Sequence, residues 1–330
     1  MKKLILVAPF AIGTLVVVSI SLLIMSYLFA GLTAFVMALI LNENSESFAY
    51  KGVYKTKGNP DFKIMTFNVN RAYEFSKNKG NTHDLIHIIQ QHDPDIILLQ
   101  EFNSNLYPEV QEQLIKIYPY GSSFESTNRF KSVFCKFPIE YSEQLMVDIN
   151  DPQYELFQNA LYCKKNNNGM EILPVCKMII KVGTKRLQIF NCHLMSNNYS
   201  VVVRNLKTEE RSLFYSVGAI FHRIDYGYKA RELQAKVIGL HLDSSMPTLI
   251  CGDFNDVCGS SPLKIMKTLG LSDAWWNGGL GFGFTFHGLG LRFRLDHILY
   301  SKRYLSLSKV VTPCTLTSDH NPVICDLQFK

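Results

Sequence analysis

The stretch Thr248-Leu249-Ile250-Cys251-Gly252-Asp253-Phe254-Asn255-Asp256 constrains this chain more than any other. It opens as an apolar run without alternation, which is the pattern of a strand covered on both faces. Gly252 then lets the backbone turn sharply or approach a neighbour closely. Asp253, Asn255 and Asp256 follow at once. Gly, Asp and Asn are also ordinary turn residues, so the stretch taken alone reads equally well as a strand-ending turn.

Repetition argues for more than a turn. Lys63–Phe67 runs into Asn68-Val69-Asn70-Arg71, and Asp95–Gln100 into Glu101. Leu187–Phe190 runs into Asn191-Cys192-His193-Leu194, and Asp296 lies in the strand-like run Arg294–Tyr300. The polar turn Thr317-Ser318-Asp319-His320-Asn321-Pro322 precedes a last strand, Val323–Leu327. Between these runs, His83–His92, Phe214–Ile224 and Tyr228–Leu242 carry apolar residues at helical spacing. Lys131–Ile139 reads as a further strand closed by a Pro turn. Each polar group has a plain structural explanation: a turn for Asn68, a solvated loop for Glu101, a satisfied core histidine for His193. Together they supply the parts of metal-assisted phosphoester cleavage. Carboxylates are hard oxygen ligands for Mg²⁺, histidines and amides can hold phosphoryl oxygens, and a His–Asp pair can act as or orient a general base.

The rest of the chain sets the context. Leu4 to Leu41 holds no charged residue. It is longer than the apolar core of a signal peptide and reads as a membrane-spanning segment, residues 1–41. At about 1.5 Å per residue it is nearly twice the roughly 30 Å of hydrocarbon, so it forms either a tight hairpin near Ser26–Gly31 or one long span. Residues 42–60 are polar and read as a linker. Residues 61–330 are globular and suit a single large layered α/β domain. The net charge of +6 is spread out, without the dense basic block of a nucleic-acid tail. Of the eight cysteines, Cys192, Cys251 and Cys325 sit in apolar runs, where a thiol behaves as a small hydrophobe. Cys163 and Cys176 flank a polar turn and are the one pair considered for a bridge. No Cys/His spacing suits zinc.

In order along the chain, Met65-Thr66-Phe67-Asn68-Val69, Asp95–Glu101, Asn191-Cys192-His193-Leu194, Gly252-Asp253-Phe254-Asn255, Leu295-Asp296-His297-Ile298 and Ser318-Asp319-His320-Asn321-Pro322 resemble the motifs of the endonuclease/exonuclease/phosphatase superfamily, the deoxyribonuclease I-like group. The resemblance runs from about Lys63 to Phe329. The stretch Gly281–His287 with Arg292-Phe293-Arg294 is similar to that of membrane-anchored bacterial members, those of Bacteroidetes in particular. It implies a four-layer α/β/β/α sandwich of two mixed sheets. It also implies Glu101, Asn68 and Asp319 as ligands of Mg²⁺, with Mn²⁺ as a substitute. Asp253 would orient or deprotonate the attacking water, Asn255 would hold that water or a phosphoryl oxygen, and His193 and Asn68 would bind phosphate. His320, paired with Asp296, would complete the site. Which of Asp253 and His320 takes the proton stays open. Asn70 stands where many nuclease members carry Asp, and His297 where Tyr is frequent; the second change reads as neutral.

The expected activity is therefore that of a membrane-anchored, Mg²⁺-dependent phosphoesterase, in the bacterial inner membrane by resemblance, with its catalytic domain outside the cytoplasm. A lipid headgroup or small phosphoester suits a tethered domain better than DNA or RNA does. A non-catalytic scaffold would show lost ligands, and none is lost. No protein partner is inferable.

Overall fold

Strands β1 (Phe62–Asn68), β2 (Ile96–Gln100) and β8 (Thr248–Asp253) are buried along almost their whole length, and the packing explains why they lack alternation. The computed structural model describes residues 11–21, 28–52, 59–70, 81–102, 108–126, 129–148, 152, 170–196, 213–288 and 291–330. One face of β1 and β2 turns Ile64, Ile96 and Leu98 toward Ile189, Leu249, Cys251 and Ile298 of a second sheet. The other face turns Met65, Phe67, Ile97 and Leu99 toward helices α2 (Asn81–His92) and α3 (Pro108–Ile117), at Leu85, Ile89, Val110 and Leu114. Beyond the second sheet, Phe190, Ile250 and Leu299 meet α4 (Leu213–Leu240) and α5 (Ser261–Thr268) at Ala235, Ile238, Leu263 and Met266. The order is helix, sheet, sheet, helix, so every central strand needs apolar residues on both sides.

The first sheet runs β13 (Leu305–Val311), β14 (Val323–Phe329), β1, β2, β4 (Arg129–Cys135), β3 (Tyr120–Ser126). The second runs β5 (Ile139–Asp148), β6 (Met170–Val182), β7 (Lys185–His193), β8, β12 (Asp296–Ser301), β9 (Leu271–Asp273). Both are mixed: β1–β2 and β7–β8 are parallel, and the other pairs are antiparallel. A separate ribbon joins β10 (Phe286–Gly288) to β11 (Leu291–Phe293). Pro138 lies where the chain leaves β4 in one sheet and enters β5 in the other, so the expected strand across Lys131–Ile139 is divided between sheets. The two helical stretches expected on either side of residue 226 are one continuous helix, α4.

The amino-terminal part is described in two pieces. Residues 11–21 are helical, as is α1 (Leu28–Ser45). Among the described residues no helix is long and apolar enough to cross a membrane. The last turn of α1 is polar, Asn42-Glu43-Asn44-Ser45. The stretch between the two helices, where a hairpin turn was expected, is only partly described, since 22–27 lie outside the described residues. The expected linker is docked over residues 42–52. Ala49 pairs with Gly281 as an isolated antiparallel bridge, Phe48 packs edge-on against Phe282, and Asn42, Ser45 and Ser47 are buried. Cys192, Cys251 and Cys325 are buried as expected, whereas Cys163 lies outside the described residues, so its pairing with Cys176 is not addressed.

Candidate active site

Strand register alone gathers the polar strand ends. In the second sheet His193 is the partner of Asp253, and Asp253 the partner of Asp296, so three adjacent strands present them at one level. In the first sheet Asn68 is the partner of Gln100, and Glu101 follows immediately. Gln100 and Asn191 tie the sheets together beneath this level: Gln100 Nε2 donates to Asn191 Oδ1 at 2.7 Å and to Thr66 Oγ1 at 3.0 Å. All three are buried.

Backbone conformation turns the chain sharply at the ends of β1, β2 and β8. Gly252 has φ +135°, and a Cβ there would lie 1.9 Å from the Cys192 carbonyl oxygen, so only glycine fits. Glu101, Asn255 and Asn70 adopt φ of 59°, 50° and 49°. Positive φ in residues other than glycine costs energy and clusters at functional sites.

Asp253 is the hub. Its Oδ2 accepts from Asn68 Nδ2 at 2.9 Å and Asn255 Nδ2 at 3.3 Å, and its Oδ1 accepts from the Asn255 amide at 2.7 Å. His193 Nε2 stands 3.7 Å from Asp253 Oδ2 and 3.5 Å from Glu101 Oε1. His320 Nε2 approaches Asp253 Oδ2 at 3.9 Å, while its Nδ1 lies 2.7 Å from Asp296 Oδ2. Ser318 Oγ donates to the Asn68 carbonyl at 2.8 Å and accepts from the His320 amide at 3.1 Å, which holds the 317–322 turn against the end of β1. The Phe286 ring leans on the His320 ring, with centroids 5.0 Å apart. All eight residues singled out in the sequence therefore lie in one neighbourhood.

Burial and charge oppose one another here. Burial pushes the Asp253 carboxyl up to about 7, with the Asp296 charge adding to it and His320 and the amide donors opposing. Burial would lower His320, but Asp296, Asp253 and Asp319 outweigh it and hold the imidazole at about 10. Burial likewise raises Asp319.

The donor set suits a hard divalent cation. Ligand atoms of Asp253, Asp296 and His320 lie within 4.8 Å of one another, the one such group among the described residues. Asp296 Oδ1 is buried without a hydrogen-bond partner there. Yet His320 and Asp296 already engage each other, and Asp253 accepts from two amides. Glu101, with 18% of its side chain exposed, stands 3.5 Å from His193 Nε2 and offers a further carboxylate that could hold a cation with its waters. Asn68 turns its amide nitrogen toward Glu101 at 3.4 Å, because its oxygen accepts from the Asn70 amide at 2.9 Å. In this orientation it positions two carboxylates, and ligating a cation would take the amide turned over.

Two residues support the site in ways that the sequence did not assign. His297 is buried, with Nδ1 2.9 Å from Asp273 Oδ2 and Nε2 3.2 Å from the Asp256 carbonyl, so its ring ties β12 to β9 and to the turn after β8. Thr285 Oγ1 accepts from the amides of Leu295 and Asp296, both at 3.0 Å, and fixes the entry to β12.

Solved structures share this architecture. The human Nocturnin catalytic domain with bound sulfate is 17% identical, with a TM-score of 0.55 over 82% of this chain and 94% of that one. An endonuclease/exonuclease/phosphatase from Bacteroides vulgatus is 16% identical, with a TM-score of 0.57 over 82% and 99%. D. rerio TDP2 complexed with single strand DNA product is 13% identical, with a TM-score of 0.55 over 81% and 98%. A search of curated proteins finds no significant match. The sequence itself matches the Endonuclease/Exonuclease/phosphatase family over residues 65–320, well over half of its length, from the first motif at Met65 to His320 in the last. This chain belongs to that family, and is a metal-dependent hydrolase of the phosphoester-cleaving type.

Proposed function

We propose that this protein is a membrane-attached, Mg²⁺-dependent phosphoesterase that cleaves a lipid headgroup or small phosphoester by in-line attack of water. The observation that carries the reading is Asp253, a buried carboxylate with two amide donors on one oxygen and two imidazoles within 4 Å. Mg²⁺ held by Glu101, with Asn68 and Asp319 beside it, would act as Lewis acid and template at the phosphoryl group. In this reading charge makes the proton assignment that the sequence leaves open. Asp296, Asp253 and Asp319 favour the protonated form of His320, so it would hold a phosphoryl oxygen rather than take a proton. Asp253, near 7, is the base that orients and deprotonates the water. Asn255 fixes that water, with its Nδ2 also donating to the Leu194 carbonyl at 2.9 Å. His193 and Asn68 contact the phosphate.

Membrane attachment rests on the amino-terminal apolar residues. Val17, Ile20, Phe35, Met37, Leu39 and Ile40 are exposed, and Lys2 and Lys3 precede them. We place the attachment at a bacterial inner membrane with the catalytic domain outside the cytoplasm. Vesicle flotation of the full chain, and a carboxyl-terminal reporter fusion read on each side of the membrane, test these two statements.

The experiment for the activity is hydrolysis of bis(p-nitrophenyl) phosphate and p-nitrophenyl phosphate with Mg²⁺, against phospholipid vesicles and single-stranded DNA. Asp253→Ala and His320→Ala should each lose about 10²–10⁴-fold in kcat. Wild-type rates in both variants would refute the site. Preference for DNA over every lipid and small ester would instead make the protein a nuclease.

A further inference from the structure

Helix α4 carries two polar side chains, three residues apart, that this reaction scheme leaves unused. Arg231 is only 2% exposed and is among the largest fully buried side chains of the molecule. Its Nε donates to Asp256 Oδ2 at 2.8 Å and its Nη1 to the Met195 carbonyl at 2.8 Å. Gln234 Oε1 accepts from the Met195 amide at 3.0 Å. One helix thus grips both backbone groups of Met195, just past His193 at the exit of β7. The same guanidinium grips Asp256, just past Asp253 and Asn255 at the exit of β8. From the opposite side, His297 Nε2 meets the Asp256 carbonyl at 3.2 Å. The turn so held contains Asn255 at φ 50°, in the left-handed region that few residues other than glycine adopt, and follows Gly252 at φ +135°.

We propose that Arg231 and Asp256 form a positioning clamp that fixes the exits of β7 and β8 against each other and so sets His193 against Asp253. Neither residue touches a reacting atom. Burial alone does not call for an ion pair here, since an apolar pair of similar volume is often as stable. What an apolar pair lacks is the rigid fork of donors that ties the Met195 carbonyl to Asp256. A displacement of about 1 Å in a catalytic constellation costs on the order of 10²-fold in rate.

The kinetic part of the test rests on the phosphoesterase reading; the structural part does not. Substituting one partner alone strands a buried charge, so the informative variants of the full chain are Arg231→Met/Asp256→Leu and Arg231→Lys. The double variant should melt close to wild type yet lose about 10²-fold in kcat with KM within about threefold. Arg231→Lys keeps the charge but not the fork, and should lose about tenfold in kcat at unchanged KM. A crystal structure of either folded variant should show the His193 Nε2 to Asp253 Oδ2 separation widened from 3.7 Å. Wild-type kcat in Arg231→Lys, or an unchanged separation in the crystal, overturns the clamp. An inactive wild type with a widened separation in the variants would remove the phosphoesterase reading and leave the clamp standing.

Discussion

His320 and Asp296 form a buried pair in which the imidazole Nδ1 lies 2.7 Å from the carboxylate Oδ2, leaving Nε2 directed at Asp253. The pair fixes which histidine nitrogen faces the reaction and holds its charge. It also separates the two titrations that matter. Asp253 works ionised, so activity rises as pH passes its value of about 7. His320 works protonated, so activity falls as pH passes about 10. We expect a bell-shaped pH dependence of kcat/KM between these values, and in Asp296→Asn an alkaline limb at distinctly lower pH, because that substitution removes the largest charge holding the imidazole protonated. An alkaline limb that stays in place would show that Asp296 does not control His320.

Glu101→Gln keeps the size and position of the side chain and removes the charge that a hard cation needs. Mg²⁺ affinity measured by isothermal titration calorimetry should fall by at least about tenfold, with the melting temperature unchanged within a few degrees. An unaltered titration would move the metal to the Asp253–Asp296–His320 group, whose ligand atoms also converge.

Gly252→Ala places a Cβ on the Cys192 carbonyl at a φ that alanine rarely adopts. Strain and overpacking together predict a loss of at least about 3 kcal/mol, read from urea denaturation, with activity lost as Asp253 is displaced. A fully stable, active variant would show that the β7–β8 approach is looser than described.

Stability should fall steeply in acid because of Asp273. Burial raises this carboxyl, but the Arg294 guanidinium at 2.9 Å and the bonds from His297 and the Trp276 amide outweigh it and hold it well below the usual carboxylate range. A depressed carboxylate contributes stability that is present above its unfolded pKa, about 4, and is lost as pH falls through the folded value. We expect Asp273→Asn to lose about 3–5 kcal/mol at pH 7, since Arg294 is left as an unpaired buried charge, and to flatten the decline below pH 4. Denaturation midpoints at pH 7 and pH 3.5 measure both effects.

What was legible in the sequence follows from where each residue sits along its strand. Asn68, Glu101, His193 and Asp253 each end a run of apolar residues, so the change from buried strand to polar group is visible one strand at a time. Arg231 gave no such signal. It lies in a helix beside Lys229 and Glu232, where a charged side chain ordinarily faces water, and only the tertiary structure brings Asp256 to it. The docking of 42–52 was hidden for a different reason: it is made by backbone hydrogen bonds such as Ala49 to Gly281 and by buried Asn and Ser side chains, which in a sequence resemble a solvated linker. His297 looked neutral because its two partners, Asp273 and the Asp256 carbonyl, are distant in sequence.

The Glu46 carbonyl accepts from Arg294 Nη2 at 2.8 Å, and the Glu46 side chain pairs with Lys267. Arg294 spends its other donors on Asp273 and on Cys258 Sγ. A recombinant fragment trimmed to the first strand near residue 60 would therefore take away an acceptor from a guanidinium sealed inside the protein, and would uncover Phe282 as well. A piece that keeps this back wall starts no later than Asn42, upstream of where the sequence first looks globular, and a fragment cut later reports on a damaged back wall rather than on the catalytic residues.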